Sequence, residues 1–480
     1  MHLQVKTTLL KLLFICFAFN LAAQDSHPFL DFFHQNVEKS ISNRRFAYSS
    51  IKPVIDRLRA DDQFKVEKLG ESVEGLPVNM VCWGDGEEVL LLWSQMHGDE
   101  PTATMAMMDL FNFLQNEQDT IGEAIKAKLK SSLSIYFIPM LNPDGAEKHS
   151  RFNAMGIDIN RDALKLNTPE GRILKEAKDR LQPDWGYNLH DQSRYYQAGH
   201  EPKPATFSFL APAFNQDKDV NANRLASMQL ICGLNEMLQA NLPGQVGRYS
   251  DTFEPRAFGD NMQKWGVRTI LVECGGNPND YEKQAIRKWH FVLYLESFLH
   301  ITERSYEQYT IADYEQIPYN RRRMMELVIR NVSYSYKGQQ TNLDFGFQDR
   351  ETNSKSKRDF YRRASISEIG DLTGYQGYVD YDASGLTMEE GKLYPELISN
   401  ADQITDAFVQ KLHREGYTDV RVRSLPAKLH RYDYPLMLHS TKKSRVNNEM
   451  RLYGNPSLVM RNESGNVRAV VVNGVLFSVD

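Results

Sequence analysis

Five consecutive apolar residues, Val89-Leu90-Leu91-Leu92-Trp93, run directly into Ser94-Gln95-Met96-His97-Gly98-Asp99-Glu100-Pro101. Met105, Met108, Phe111 and Leu114 follow at helical spacing. An unbroken apolar run of that length suits a strand covered on both faces, after which the period lengthens to that of a helix. The order is strand, tight loop, helix. Side chains leaving the end of a buried strand stand in the crevice where open α/β sheets bind their ligands. Here the loop carries an imidazole and a carboxylate three residues apart. Alone, His-x-x-Glu decides little, because a loop histidine and a helix-start glutamate give the same spacing by chance. The other strand ends decide whether it is part of a site.

Strand-like and helix-like stretches alternate from Val66 onward. Val78–Trp83 and Val89–Trp93 read as strands, with Gly84-Asp85-Gly86 as a hairpin turn between them. A helix is expected over 101–116. Leu133–Leu141 reads as a buried strand ending at the turn Asn142-Pro143-Asp144-Gly145. A helix over 169–182 precedes a strand, Trp185–Leu189, that runs into His190. A long helix spans 221–241, and the strand Val267–Val272 ends at Glu273. Tyr281–His300 reads as a closing helix, and the polar stretch 24–65 as a helical leader. The alternation predicts an α/β fold: a mixed open sheet flanked by helices on both faces.

Past about residue 315 the pattern shifts to short alternating runs between polar turns. The clearest is Val467–Val472, Asn473-Gly474, Val475–Val479, a hairpin with the residues a type I′ turn favours. A second hairpin is expected between Leu458-Val459-Met460 and Val467 across 462–466. The expected organisation is therefore a signal peptide over 1–23, a catalytic domain over 24–315 and a smaller β-rich domain over 316–480.

Composition narrows the function classes. The 480 residues are 41% hydrophobic and 25% charged, with a formal net charge of −5. Such a balance gives no electrostatic footprint for nucleic acid or an anionic membrane. Runs such as Arg321-Arg322-Arg323 are short and read as solvated helix faces. Lys6 and Lys11, the apolar core 12–19 and Leu21-Ala22-Ala23 have the order of a secretory signal, so an exported product, periplasmic or extracellular, is expected. No later stretch is apolar enough to span a bilayer. Cys82, Cys232 and Cys274 remain after cleavage, too few for a disulfide framework, and buried free thiols are the expectation.

His97, Glu100, His190 and Glu273 all stand where strands are expected to end. Two imidazoles and one carboxylate make a three-ligand zinc site with a coordination position left open, and the second carboxylate stays free. Zinc lowers the pKa of bound water to about 7. A nearby carboxylate can take the proton as water attacks a carbonyl, then deliver it to the leaving nitrogen. The oxyanion so formed needs a cation or aimed donors. Arg151 and Arg161 lie just beyond the Asn-Pro-Asp-Gly turn.

With these motifs in place the chain resembles the zinc carboxypeptidases of the M14 metallopeptidase family, of the funnelin type. The matching elements are His-Gly-Asp-Glu at 97–100, Asn-Pro-Asp-Gly at 142–145, Arg151, Gly-Ile-Asp-Ile-Asn-Arg-Asp at 156–162, Asn-Leu-His-Asp at 188–191 and Val-Glu-Cys-Gly at 272–275. They cover roughly 65–300 in the family's order. The resemblance implies one Zn2+ per chain, bound by His97, Glu100 and His190. It implies Glu273 as general base and then acid, and Arg151 as the oxyanion's partner. Asn160 and Arg161 would hold the free C-terminal carboxylate of a peptide substrate, a role suited to a guanidinium fork. Asp158 would orient the ring of His97. Tyr249 is the nearby candidate for the family's mobile tyrosine. The pocket floor is expected within 253–261, where Phe258 would favour apolar C-terminal side chains and Asp260 basic ones.

The implied function is an exported metallocarboxypeptidase that hydrolyses C-terminal peptide bonds by zinc-water attack. Two alternatives stay open: a zinc-dependent N-acyl amino acid amidohydrolase of the same fold, and a silent peptide-binding homologue. In the C-terminal part, Met325–Asn331, Ile369-Gly370-Asp371, Val379–Leu386 and Ala469–Gly474 weakly resemble the small β-sandwich that accompanies the barrel in amidohydrolases. The barrel has no counterpart here, because it takes ~250 residues and no His-x-His occurs.

Overall fold

A computed structural model of the chain describes residues 27–354, 358–424 and 432–479. The expected signal segment, 1–23, lies outside the described residues. Two helices open the described chain, α1 (Phe29–Asn36) and α2 (Tyr48–Arg59), as expected for the leader. The main sheet then forms from β1 (Phe64–Glu71), β2 (Pro77–Trp83), β3 (Glu88–Trp93), β4 (Leu133–Ile138), β5 (Trp185–Asp191), β7 (Phe207–Leu210), β8 (Val246–Arg248) and β9 (Arg268–Cys274). A two-residue strand, β6 (Gln197–Ala198), stands apart from it. Strand order is β1-β2-β4-β3-β5-β9-β7-β8. The central strands β4, β3, β5 and β9 are parallel, while β2 and β7 join antiparallel, so the sheet is mixed.

Both faces of β3 are covered, which explains its apolar run. Leu90 and Leu92 pack with α2, α3 (Thr102–Gln115), α4 (Thr120–Ser132), α7 (Ala222–Asn241) and α9 (Gln284–Glu303). Leu91 and Trp93 point the other way, toward α6 (Pro169–Leu181) and α8 (Phe258–Lys264). The helices α3 and α9 are buried nearly all round and are joined by an ion pair, Arg287 Nε to Asp109 Oδ2 at 2.6 Å, with both side chains excluded from solvent. The predicted leading strands and helices thus recur within a few residues of their expected bounds.

Two local expectations are corrected. Gly84-Asp85-Gly86 is no hairpin turn, because β4 lies between β2 and β3. The segment instead packs on the start of β4, where Gly86 N–H donates to Leu133 O at 3.2 Å. Gly84 has φ +87°, and a Cβ there would meet Leu133 O at 2.2 Å. Asn142-Pro143-Asp144-Gly145 is not a free turn but the start of a helix, α5 (Pro143–Lys148), whose N-cap Asn142 accepts from Gly145 N–H. Proline at the first helical position after an asparagine cap favours that outcome.

Helix α10 (Ile311–Gln316) leads to a short strand, β10 (Asn320–Arg321), which pairs with β6. A second eight-stranded sheet follows, from β11 (Met324–Tyr336), β12 (Gln339–Asn353), β13 (Phe360–Gly370), β14 (Gln376–Asp382), β15 (Thr387–Glu390), β19 (Leu458–Arg461), β20 (Val467–Val472) and β21 (Val475–Ser478). Between β15 and β19 a small parallel sheet of β16 (Lys392–Ile398), β17 (Tyr417–Val422) and β18 (Met437–His439) packs with α11 (Asp406–Glu415). The β20–β21 hairpin turns on Asn473 and Gly474, both at positive φ, as a type I′ turn requires. The β19–β20 pair also forms as expected.

Candidate metal centre

Chain order along the sheet runs from β3 outward to β4 and then returns to β5 on the other side of β3. That reversal opens a crevice at the carboxyl ends of β3 and β5. Trp93 is in register with Asn188, which sets the loop after β3 beside the end of β5. His190 is in register with Glu273 on β9. Register therefore brings together residues that are distant in sequence.

His97 Nδ1 and His190 Nδ1 face each other at 3.1 Å. Glu100 spans both, Oε1 at 2.9 Å from His97 Nδ1 and Oε2 at 2.6 Å from His190 Nδ1. Among the described residues these three form the group of His, Cys, Asp and Glu side chains able to hold a metal, with donor atoms within 4.8 Å of one another. Zinc arms of about 2.0–2.1 Å in a tetrahedral set separate donors by roughly 3.3 Å, so the observed spacing fits that ion. Two opposed imidazole nitrogens share no good hydrogen bond unless one is protonated, whereas one cation between them satisfies both together with the carboxylate. The donor set suits zinc.

The surroundings fix these three side chains unequally. His97 Nε2 lies 3.0 Å from Asp158 Oδ1, and Asp158 Oδ2 accepts from Arg151 Nε and Nη2 at 3.1 and 3.0 Å. Arg151 Nη1 reaches Glu100 Oε1 at 3.3 Å and His97 Nδ1 at 3.1 Å. His190 Nε2 is buried with no hydrogen-bond partner among the described residues. Beside it, Asp191 N–H donates to Glu100 Oε2 at 3.2 Å, and the Asp191 carboxylate accepts from Thr102 Oγ1 at 2.7 Å.

Electrostatics follow from burial and these pairings. Burial works to raise the Glu100 carboxyl, but the two histidines outweigh it and hold Glu100 well below the usual carboxylate range. Burial would lower His97, yet the Glu100 charge and the Asp158 hydrogen bond raise it to about 9. His190 is lowered, chiefly by burial. The cluster therefore calls for positive charge at its centre, from a proton or a cation. Glu273 is pushed the opposite way: burial first, then the charge of Glu100, raise its carboxyl well above the ordinary value. Its Oε2 is buried without a hydrogen-bond partner among the described residues.

A cavity of about 420 Å³ opens over this centre. His97, Glu100, Arg151, Asn160, Arg161, His190, Tyr249 and Glu273 all line it. Asn160 Oδ1 accepts from Phe258 N–H at 2.9 Å, and Arg161 Nη1 donates to Asn160 O at 2.7 Å. Arg161 Nε stands 3.6 Å from Glu254. Tyr249 packs its ring 5.7 Å from that of Tyr196, and burial followed by the Glu273 charge raises its phenol. Of the two pocket-floor alternatives, Asp260 lines the cavity, while Phe258 is fully buried in the core beside Trp265. Burial raises Asp260 to about 6, and its Oδ1 accepts from Glu254 N–H at 2.9 Å.

The structure adds cavity residues that the motifs did not mark, Tyr196, Thr252 and Arg322, and Glu254 lines the cavity from within the expected 253–261 stretch. Arg321-Arg322-Arg323 is also not a helix face, as the charge run suggested. Arg321 belongs to β10, and Arg322 lines the cavity. The guanidinium of Arg323 lies over the Tyr375 ring at 4.5 Å. His149 caps the end of α5 at φ 46° and does not line the cavity. Cys82, Cys232 and Cys274 are free thiols, Cys232 and Cys274 buried and Cys82 half-buried.

Comparison with known proteins yields one family model, described as zinc carboxypeptidase, over residues 51–202. Carboxypeptidase 2 of Trichophyton tonsurans is 33% identical over 136 residues, 28% of this chain and 24% of that protein. Carboxypeptidase SOL1 of Arabidopsis thaliana is 24% identical over 184 residues, 32% of this chain and 36% of that protein. The chain thus spans about a quarter to a third of the length of these curated relatives. Among solved structures, a metallo-carboxypeptidase from Burkholderia cenocepacia aligns with TM-score 0.44 at 16% identity, covering 54% of this chain and 70% of that one. Over residues 51–202, which carry His97, Glu100, Arg151 and His190, the chain is similar to the zinc carboxypeptidases of the M14 family.

Proposed function

We propose that this chain is an exported zinc metallocarboxypeptidase that removes C-terminal residues from peptides. The observation that carries the reading is the convergence of His97 Nδ1, His190 Nδ1 and Glu100 beside a buried, partnerless Glu273 in one cleft. His97, Glu100 and His190 would hold one Zn2+ per chain, and bound zinc supplies Lewis acidity toward a carbonyl oxygen and toward water. The work of the chain's own residues can be assigned from their positions. Glu273, with its raised proton affinity, takes a proton from the attacking water and hands it to the departing amine. Arg151 faces the same space and stabilises the oxygen on which negative charge develops. Asn160 and Arg161 hold the terminal carboxylate, with Tyr249 closing against the bound residue. Asp158 fixes the ring of His97 while anchoring Arg151, so ligand and oxyanion partner share one support.

On this reading residues 24–315 form the catalytic unit and 316–480 an accessory one. Export rests on the signal-like residues 1–23. Among the described residues no helix is long and apolar enough to cross a membrane.

The test pairs one peptide in free-acid and C-terminal amide forms, with an N-acyl amino acid as third substrate. Zinc-loaded protein should release a single C-terminal residue from the acid and leave the amide intact. Release confined to the N-acyl amino acid would select the amidohydrolase alternative. Glu273→Gln should retain zinc and lose about 10²–10⁴-fold in turnover; a fully active Glu273→Gln protein would remove Glu273 from the proton-transfer role.

A further inference from the structure

The cleft holds a cation that the proposed chemistry does not use. Three arginines line it: Arg151, Arg161 and Arg322. Arg151 is committed to Asp158 and Glu100, and Arg161 to the Asn160 carbonyl and Glu254. The side chain of Arg322 makes no hydrogen bond or ion pair among the described residues. Its backbone, by contrast, is firmly placed. Arg248 N–H donates to Pro318 O at 2.8 Å, Gly199 N–H to Tyr319 O at 3.0 Å, and Met324 N–H to Tyr195 O at 3.0 Å. Asn320 Nδ2 bonds Gln192 Oε1 at 3.1 Å, and β10 pairs with β6. The segment leading to the second sheet is thus strapped to the cleft wall on both sides of Arg322.

Resting on the carboxypeptidase reading, we propose that Arg322 is a specificity-determining cation, binding a side-chain carboxylate in the two substrate residues before the scissile bond. An exopeptidase of this kind leaves one residue beyond that bond. The terminal carboxylate is assigned to Asn160, which accepts from Phe258 N–H, and to Arg161, which stands beside Glu254, so both lie against the 254–258 segment rather than the Arg322 segment. An acidic side chain on that last residue would meet Asp260 and Glu254, which line the cavity near Arg161. The upstream residues remain as partners for Arg322. A planar guanidinium fork matches a carboxylate, and its anchored backbone reduces the freedom lost on binding. The region beyond residue 320 then contributes directly to substrate choice.

The test uses N-acetylated pentapeptides that differ only in carrying Glu or Gln at both positions before the scissile bond. Cleavage by the zinc-loaded wild-type chain is compared with Arg322→Ala, Arg322→Glu and Arg321→Ala; Arg321 serves as control because it does not line the cavity. Binding to zinc-loaded Glu273→Gln protein, with and without Arg322→Ala, gives a readout that needs no turnover. The Glu peptide should be favoured about fivefold, the upper range for a solvent-exposed ion pair. Arg322→Ala should bring the two peptides within twofold, Arg322→Glu should reverse the order, and Arg321→Ala should change nothing. Equal handling of both peptides by the wild type, or an unchanged preference in Arg322→Ala, overturns the assignment and leaves the carboxypeptidase reading intact. If neither peptide is cleaved, the catalytic reading falls and the specificity role falls with it, and tighter binding of the Glu peptide through Arg322 then supports only a carboxylate contact.

Discussion

At the residue scale the centre depends on Asp158, which accepts from Arg151 and contacts His97 through separate oxygens. Asp158→Asn keeps the shape but weakens both contacts. Partners one shell out from a metal typically contribute 10–100-fold in affinity. Zinc competition against a fluorescent chelator should therefore show a loss in about that range for Asp158→Asn, whereas an unchanged affinity would assign Asp158 to loop architecture alone. The convergence of His97, Glu100 and His190 was legible in sequence because each follows an apolar run, and strand ends are where an open sheet exposes side chains. Arg322 was not legible. A basic triplet has the same composition whether it faces solvent or a cleft, and only the pairing of β10 with β6 distinguishes the two. Asp260 and Phe258 stayed undecided for a related reason: two positions apart on a helix start, their directions depend on how α8 docks.

Elements explain how the loops are held. Helices α3 and α9 meet through Asp109 and Arg287, and Arg287 also donates to Ile41 O at 2.6 Å, so three segments share one buried charge pair. Removing one partner strands the other in a dry interior, which costs about 3–5 kcal/mol. Arg287→Met should lower the unfolding free energy by that amount in urea titration. Adding Asp109→Leu should recover much of it, and a double variant no more stable than Arg287→Met would contradict the buried-charge explanation. The strands and long helices were readable from periodicity. The β2–β3 hairpin was misjudged because Gly-Asp-Gly supplies turn conformations without specifying which strand comes next to β2. Long-range pairing inserted β4, a choice made by tertiary packing rather than local chemistry.

Across the whole molecule, acid should destabilise the fold through buried neutral histidines. Burial alone lowers His290 to about 3, and burial with the charges of Arg45 and Arg44 lowers His149 to about 3. Between pH 6.5 and 3 the unfolded chain binds protons at these sites that the folded chain does not. Stability is therefore lost as pH falls through that window, by about 1.4 kcal/mol per pH unit for each histidine. Denaturation series between pH 7 and 4.5 should show a shallower acid limb for His290→Phe than for wild type; parallel limbs would exclude this source. The two-sheet layout was foreseeable from the change in texture near residue 315. The parallel β16–β17–β18 unit inside the second part was not, because its short runs carry no βαβ signature strong enough to stand out. The direct check on the whole account is the zinc content of the purified chain after exhaustive dialysis, beside His190→Ala. One ion per wild-type chain is predicted, with none retained by the variant. A wild-type chain that holds no zinc, or a His190→Ala chain that holds as much, would contradict it.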